Sequence, residues 1–319
     1  MNLKIKIKFV DFWSNFDQEN NFFTNLLKDE YEIVFSENPD FIIYSVFGNS
    51  HLKYNCVKIF FTGENIIPDF NYCDYALGFH HISFENRYFR LLYYLRNTDL
   101  LELIEKKHIF NQKELSSKIS FCNFIYSNSN ANFRNEFFEK LNAYKTVDSG
   151  GKFNNNIGYI VENKLDFQRR FRFSIAFENS YGSGYTTEKI MDAFAAKTVP
   201  IYWGNPSINI DFNPKAFINV HDYSSLDEVV KEIIKVDNDE ELYLSYLSAP
   251  AFEGINRISE KDLIIFFDNI FKNSKDLIEN KKHYGIWYKN HLLEVKISSN
   301  FRYNKLFRPL RFLRNMIKK

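Results

Sequence analysis

FENSYGSGYTTEKIMDAFAAKTVPIYWG, residues 177–204, decides how the rest of the chain is read. The apolar run FSIAF, residues 173–177, reads as a strand, so Glu178 and Asn179 emerge at its carboxyl end. SYGSGY then supplies two glycines for a tight turn. TTEKIMDAF begins a helix in which Ile190, Ala193, Phe194 and Lys197 fall at helical spacing. A helix start directs free backbone N–H groups at whatever precedes it, and Lys189 adds a full positive charge to that first turn. Lysine is unfavourable there unless an anion answers it, and phosphate is the natural guest. A glycine turn before a helix can also be a plain connection, Glu188 a plain cap, and Tyr202 and Trp203 plain core. What favours a site is their order on one strand, turn, helix and strand unit.

The same alternation extends in both directions. Short apolar runs at 5–10, 33–35, 41–46, 57–61, 75–78, 119–126, 157–159, 173–177, 199–203 and 216–220 read as strands, and Phe133 to Leu141 and Glu188 to Ala196 read as helices. Strand and helix in alternation predict parallel sheets covered by helices. The charged segment DLLELIEKKHIFNQKELSSK, residues 99–118, reads as a link between two such sets. The predicted fold is α/β, with two Rossmann-like domains facing a central cleft at the carboxyl ends of the strands. The predicted domains are residues 1–112, residues 113–275 with the phosphate site, and a helical segment, residues 276–319, that ends in a basic amphipathic tail.

Length and composition agree with this organisation. The 319 residues suffice for two cores, and aromatic residues make up 18%, a share that serves cores and stacking surfaces alike and so selects neither. MNLKIKIKFVDFW alternates where a leader peptide would be continuously apolar, and no run reaches membrane-spanning length, so a cytoplasmic location is expected. Cys56, Cys73 and Cys122 have no metal-ligand spacing and are expected reduced and buried. Asp237-Asn238-Asp239 has the Asp-x-Asp spacing of some metal sites, but it lies in an acidic run that reads as a helix start. His80 and His81 are adjacent, so on extended backbone they point apart.

Charge is uneven. Net charge is +1, and the seven cations of NFRYNKLFRPLRFLRNMIKK, residues 300–319, leave −6 on residues 1–299. Beyond Pro309, Leu310, Leu313 and Ile317 share one helical face while Arg311, Arg314 and Lys318 share another, which fits an anionic membrane surface. Docking of that tail on its own protein is the alternative. The body offers no basic stripe for nucleic acid.

IAFENSYGSGYTTEKIMDAF with TVPIYWGNPSINIDFNPKAFINVHDY closely resembles the signature of the α-1,3-fucosyltransferases, glycosyltransferase family 10, in particular bacterial enzymes that decorate lipopolysaccharide. The resemblance continues through FFTGENIIPDFNYCDYALGF, FENRYFRLLYYL and YSNSNANFRNEFFEKL, covering about residues 1 to 270. It implies a GT-B fold, GDP-fucose as donor, inversion at the anomeric carbon, and as acceptor the 3-hydroxyl of GlcNAc in Galβ1-4GlcNAc, an N-acetyllactosamine unit of Lewis-type epitopes. It also implies that Glu64, just past the strand VKIFF, is the base, and that Arg134 and Lys189 meet the phosphates. Glu188 matches a residue bonding the ribose hydroxyls, and Asn179 and Tyr185 match positions beside the pyrophosphate and fucose. Two cations from separate elements make a metal cofactor unnecessary.

The repeated heptads of some relatives are missing before the tail, and residues 271–299 read instead as a mixed helical stretch; the basic tail leads to the expectation of a protein peripheral on the inner face of the membrane. Two rivals stand beside this reading: a transferase with α-1,4 regiochemistry or another GDP-sugar, and a non-catalytic nucleotide- or glycan-binding module. The presence together of Glu64, Arg134, Glu188 and Lys189 argues against the second.

Overall fold

The computed structural model describes residues 3–105, 110, 115, 117–255, 257–280 and 286–303. The chain divides into two compact units, one of residues 1–78, 82–91 and 259–319, the other of residues 79–81 and 92–258.

The first unit is built on a six-stranded parallel sheet, β1 (Leu3–Val10), β2 (Tyr31–Phe35), β3 (Phe41–Tyr44), β4 (Val57–Phe61), β5 (Tyr75–Gly78) and β6 (Tyr88–Arg90), in spatial order β2-β1-β3-β4-β5-β6. Ile42, Ile43, Val57, Ile59, Ala76 and Leu77 are fully buried, as continuous apolar strands require when helices cover both faces. One covering helix, Glu260–Asn280, comes from the far end of the chain. Its Phe271 packs edge-on against Tyr31 and Phe41, its Phe267 edge-on against Phe23, and its Phe266 edge-on against Tyr75 and tilted against Phe89. Asp268 accepts a hydrogen bond from the Tyr31 hydroxyl.

The second unit carries a five-stranded parallel sheet, β7 (Ser120–Phe124), β8 (Val147–Ser149), β9 (Phe171–Phe177), β10 (Val199–Trp203) and β11 (Ile218–Asn219), ordered β11-β10-β9-β7-β8. Phe124, Phe137, Phe173, Phe177, Val229, Ile233 and Tyr243 join sheet and helices in one core. Two parallel-sheet α/β units are the GT-B class that the sequence predicts. Cys56, Cys73 and Cys122 are buried and form no disulfide among the described residues, as expected.

Three expectations need correction. The boundary at residue 112 falls inside the second unit, because the charged Thr98–Glu105 helix hides Leu100 and Ile104 and packs on the Glu188–Ala195 helix. Residues 259–275, expected in the second domain, belong to the first, because their phenylalanines complete the first sheet's core. Residues 157–159, expected as a strand, form bends. There Asn155 Nδ2 donates to the Tyr159 carbonyl and its Oδ1 accepts from Gly158 N–H, using backbone groups that a neighbouring strand would need. The basic tail lies outside the described residues from 304 onward, as does part of the 99–118 link. Among the described residues no helix is long and apolar enough to cross a membrane.

Candidate functional site

The site in the second unit grows from the end of β9. Glu178, the residue after that strand, is fully buried, and it is held at the strand end by its own N–H donating to the Trp203 carbonyl. Its Oε1 accepts from the Thr187 N–H at 2.7 Å, while Oε2 accepts from the Thr187 hydroxyl at 2.7 Å and from Lys189 Nζ at 3.0 Å. Lys189 also donates to Thr187 Oγ1 at 2.8 Å and reaches Glu188 Oε1 at 3.4 Å. The lysine at the positive end of the Glu188–Ala195 helix is thus answered from within the protein. Burial works against its charge, but Glu178 and Glu188 hold the ammonium pKa above its ordinary value. Burial raises the Glu188 pKa, and Lys189, with the backbone N–H of Glu188 itself, Lys164 and Thr187, outweighs it to leave that carboxyl below its usual range.

The second cation comes from the Asn132–Tyr144 helix. Arg134 is 0% exposed, an unusual place for a guanidinium, and its Nη1 donates to Asn179 Oδ1 at 3.1 Å. Its Nη2 donates to the Asn128 carbonyl, and the guanidinium carbon lies 4.0 Å from the centroid of the Tyr126 ring. Tyr126 is itself fixed, its hydroxyl accepting from Phe177 N–H at 2.8 Å and lying 2.9 Å from the Ile175 carbonyl. Burial, then the two nearby cations in opposition, set the Tyr126 pKa, and burial wins, keeping the phenol neutral. Arg134 Nε is buried and has no hydrogen-bond partner among the described residues.

The glycine turn between these groups is rigid. Gly184 has φ +87°, and a Cβ there would stand 2.4 Å from the Phe79 carbonyl oxygen, so only glycine fits. Asn205, fully buried, accepts from Gly184 N–H at 2.7 Å and donates to Thr186 Oγ1 at 3.0 Å. Tyr185 is buried edge-on against Phe79, and its carbonyl lies 3.4 Å from the Tyr202 hydroxyl.

Of the expected site residues, Arg134, Asn179, Tyr185, Glu188 and Lys189 all lie in this unit, with Arg134 bonded to Asn179 and Lys189 to Glu188. Glu64 lies in the other unit, on the loop after β4; its N–H donates to Thr62 Oγ1 at 2.9 Å and the residue is exposed. Glu178, Thr187, Tyr126 and Asn205 carry the arrangement and were not predicted as site residues. The signal for Glu178 was a carboxylate at a strand end nine residues before Thr187 of a cationic helix start.

The Asp-x-Asp segment is structural. Asp237 pairs with Lys145 at 3.0 Å and Arg172 at 3.2 Å, and Asp239 caps the Glu240–Ser248 helix. Among the described residues no cluster of three or more His, Cys, Asp or Glu is arranged for a metal.

Comparison with known proteins places similar sequences around these elements. Residues 7–97 match the alpha-(1,3)-fucosyltransferase FucT N-terminal domain, and residues 115–285 match the glycosyltransferase family 10 (fucosyltransferase) C-terminal region. The chain is 35% identical to alpha-(1,3)-fucosyltransferase FucT of Helicobacter pylori over 318 aligned positions, 84% of this chain and 66% of that protein. It is 29% identical over 170 residues to a 3-galactosyl-N-acetylglucosaminide 4-alpha-L-fucosyltransferase of Bos taurus, 50% of this chain and 46% of that one. The chain therefore spans less than two thirds of the length of these relatives. A crystal structure of an alpha1,3-fucosyltransferase with GDP-fucose superposes with a TM-score of 0.75 at 30% identity, covering 86% of this chain and 92% of the other.

Proposed function

The chain belongs to glycosyltransferase family 10, the fucosyltransferases, and from that membership and the geometry of the second unit we propose that it moves L-fucose from GDP-fucose to the 3-hydroxyl of GlcNAc in Galβ1-4GlcNAc, with inversion. The observation that carries the donor half is Arg134. A buried guanidinium whose Nε has no partner among the described residues, on a frame of Tyr126 and Asn179, is a donor suited to an incoming anion. A diphosphate supplies that anion, and Lys189, 12% exposed, supplies the second positive charge. Glu188, whose carboxyl stays ionised at neutral pH, suits the ribose cis-diol, and Asn179 and Tyr185 flank the pyrophosphate and fucose.

In this mechanism the acceptor oxygen attacks C1 of fucose as the bond from C1 to the diphosphate oxygen breaks. Glu64 takes the hydroxyl proton, and Arg134 and Lys189 meet the charge that grows on the leaving GDP. Their two charges do the neutralising for which other transferases recruit a metal, so transfer proceeds without one.

Incubating the purified protein with GDP-fucose and a panel of Galβ1-4GlcNAc and Galβ1-3GlcNAc disaccharides tests the reading. Fucosylated Galβ1-4GlcNAc is expected; an unmodified panel with intact GDP-fucose overturns it. The similarity to the bovine 4-alpha-L-fucosyltransferase favours α-1,4 transfer as the second reading, which product on Galβ1-3GlcNAc alone would establish.

We further propose that the natural acceptor is a lipopolysaccharide glycan that gains a Lewis-type epitope, and that residues 300–319 hold the protein on the anionic cytoplasmic face of the membrane. Seven cations with no acid support the tail's role. Removing residues 300–319 is expected to release the protein from vesicles containing phosphatidylglycerol while turnover on a soluble disaccharide persists.

A further inference from the structure

The helix that carries Glu188 and Lys189 bears a third charged group, which the proposed reaction does not use. Asp192 lies one turn further on, three residues from Lys189 and four from Glu188, the two spacings that put helical side chains on one face. Its side chain is 19% exposed, and Oδ2 accepts from Lys164 Nζ at 2.6 Å. Lys164 opens the Lys164–Gln168 helix, which is itself anchored. Asn163 Oδ1 accepts from the Asp166 N–H at 3.1 Å, and Phe167 is buried with its ring 4.9 Å from that of Phe171, the first residue of β9. A separate, fixed element thus brings the lysine to Asp192.

Several elements place charge around this carboxylate. On its own helix Glu188 repels it and Lys189 attracts it. Tyr93, of the Tyr93–Arg96 turn, lies within electrostatic reach of Asp192 and Glu188, and Arg96 of that turn acts on Glu188. The Thr98–Glu105 helix, packed on the same helix, carries Asp99, Glu102 and Glu105, all exposed, with Glu105 paired to Arg257. Burial pushes the Asp192 carboxyl above its ordinary value even against the charge of Lys164, which reaches Glu188 as well.

Ion pairs near a surface contribute little to stability, and Lys164 with Asp192 would be one more of them elsewhere on the helix. Their place beside Lys189 changes what the pair does. Glu178 already takes part of the Lys189 charge. An unanswered carboxylate one turn away would take more of it and would repel an incoming diphosphate; a bonded lysine cancels that field at its source.

We propose that Lys164 is a positioning residue of the donor site, which neutralises Asp192 and so leaves Lys189 available to the diphosphate of the nucleotide sugar. The inference rests on the donor reading for its ligand. Lys164 acts through Asp192 and not by contact with the donor.

The test uses the full chain and GDP-fucose without acceptor, by calorimetry from about pH 5.5 to about pH 8, where the diphosphate of a sugar nucleotide keeps its full charge and a raised carboxyl can titrate. Lys164→Met and Lys164→Gln are each expected to weaken binding by about threefold to tenfold at the upper end of that range, the effect of one nearby unit charge in a part-exposed site. The loss should shrink to within about twofold at the lower end, because without Lys164 the Asp192 carboxyl, already raised by burial, takes up a proton and removes its own charge. Lys164→Met combined with Asp192→Asn should bind as wild type does throughout, and Lys164→Arg should retain binding. If the methionine variant does not fold, the glutamine variant, which keeps a donor for Asp192 without the charge, decides. A loss that is the same at every pH, or that Asp192→Asn does not rescue, makes the pair a structural tether and overturns the proposal, as does unchanged binding in the Lys164 variants; all of these leave the donor reading intact. Wild-type protein that binds GDP-fucose at no pH removes the donor reading and this inference with it.

Discussion

Lys189 Nζ lies 3.0 Å from Glu178 Oε2, and the carboxylate is completely buried. The ammonium therefore serves Glu178, Thr187 and Glu188 within the protein and, as proposed, the diphosphate of the donor. Lys189→Ala is expected to lower GDP affinity and turnover together, and also to destabilise the fold by about 3–5 kcal/mol, because it strands a buried charge. Pairing Lys189→Met with Glu178→Gln should recover most of that stability and none of the affinity. Thermal unfolding and GDP calorimetry on the two variants separate the effects.

Arg134→Lys keeps the charge and loses the fork. The bonds to Asn179 and the Asn128 carbonyl, and the seat over Tyr126, all depend on a planar guanidinium. GDP affinity should fall about tenfold or more, consistent with one lost charge-assisted hydrogen bond. An unchanged dissociation constant in calorimetry would remove Arg134 from the donor site.

Glu64→Gln separates the base from the phosphate clamp. General-base catalysis is worth about 10² to 10⁴-fold, so turnover should fall by that factor while GDP affinity holds, since the proton moves only as the new bond forms. Near-normal turnover in the glutamine variant, or loss of GDP binding, would return the search for the base to other carboxylates.

Gly184→Ala places a Cβ 2.4 Å from the Phe79 carbonyl oxygen at φ +87°. Strain of this kind costs about 1–3 kcal/mol, and here it falls on the turn that leads into Thr187 and Lys189. A lowered melting temperature together with weaker GDP binding is expected. If melting drops alone, the turn supports the fold without shaping the site.

The Lys189 ion pair also predicts a pH response. Burial disfavours the charged form, yet Glu178 and Glu188 raise the folded pKa above the ordinary lysine value. Stability from a group raised in this way is fully present below its unfolded pKa and is lost only as pH rises through the folded one. The difference in stability between wild type and the paired Lys189→Met, Glu178→Gln variant, in which no buried carboxylate is stranded, should stay constant from neutral pH up to about pH 10, near the unfolded lysine value. Urea unfolding along that range measures it, and an early decline would mean that the pair is not formed.

Much of this was legible in the residues. Tyr75–Gly78 and Val199–Trp203 are short apolar runs, and both form strands with the predicted limits. The Glu188–Ala195 helix starts where its threonine and charged first turn predicted. Glu178 was harder to assign, because a carboxylate at a strand end shows nothing in sequence of the lysine that will fold back on it. Arg134 read as a surface cation beside a helix start equally well, and only its complete burial separates the two. Residues 259–275 were expected with the second sheet for a related reason: the phenylalanine spacing there announces a buried face and is silent on which sheet receives it.

That returning helix also governs the order in which the protein can be made. A ribosome releases β1 to β6 early, with Tyr31, Phe41 and Tyr75 on a surface whose cover, Phe266 to Phe271, is synthesised only after the whole second unit. The second unit, contiguous from residue 92 to 258 apart from three residues, has its full core before that helix emerges. Folding during synthesis therefore runs against the usual amino-to-carboxyl order, with the second unit closing first and the first sheet waiting, its apolar face in need of a chaperone or of speed.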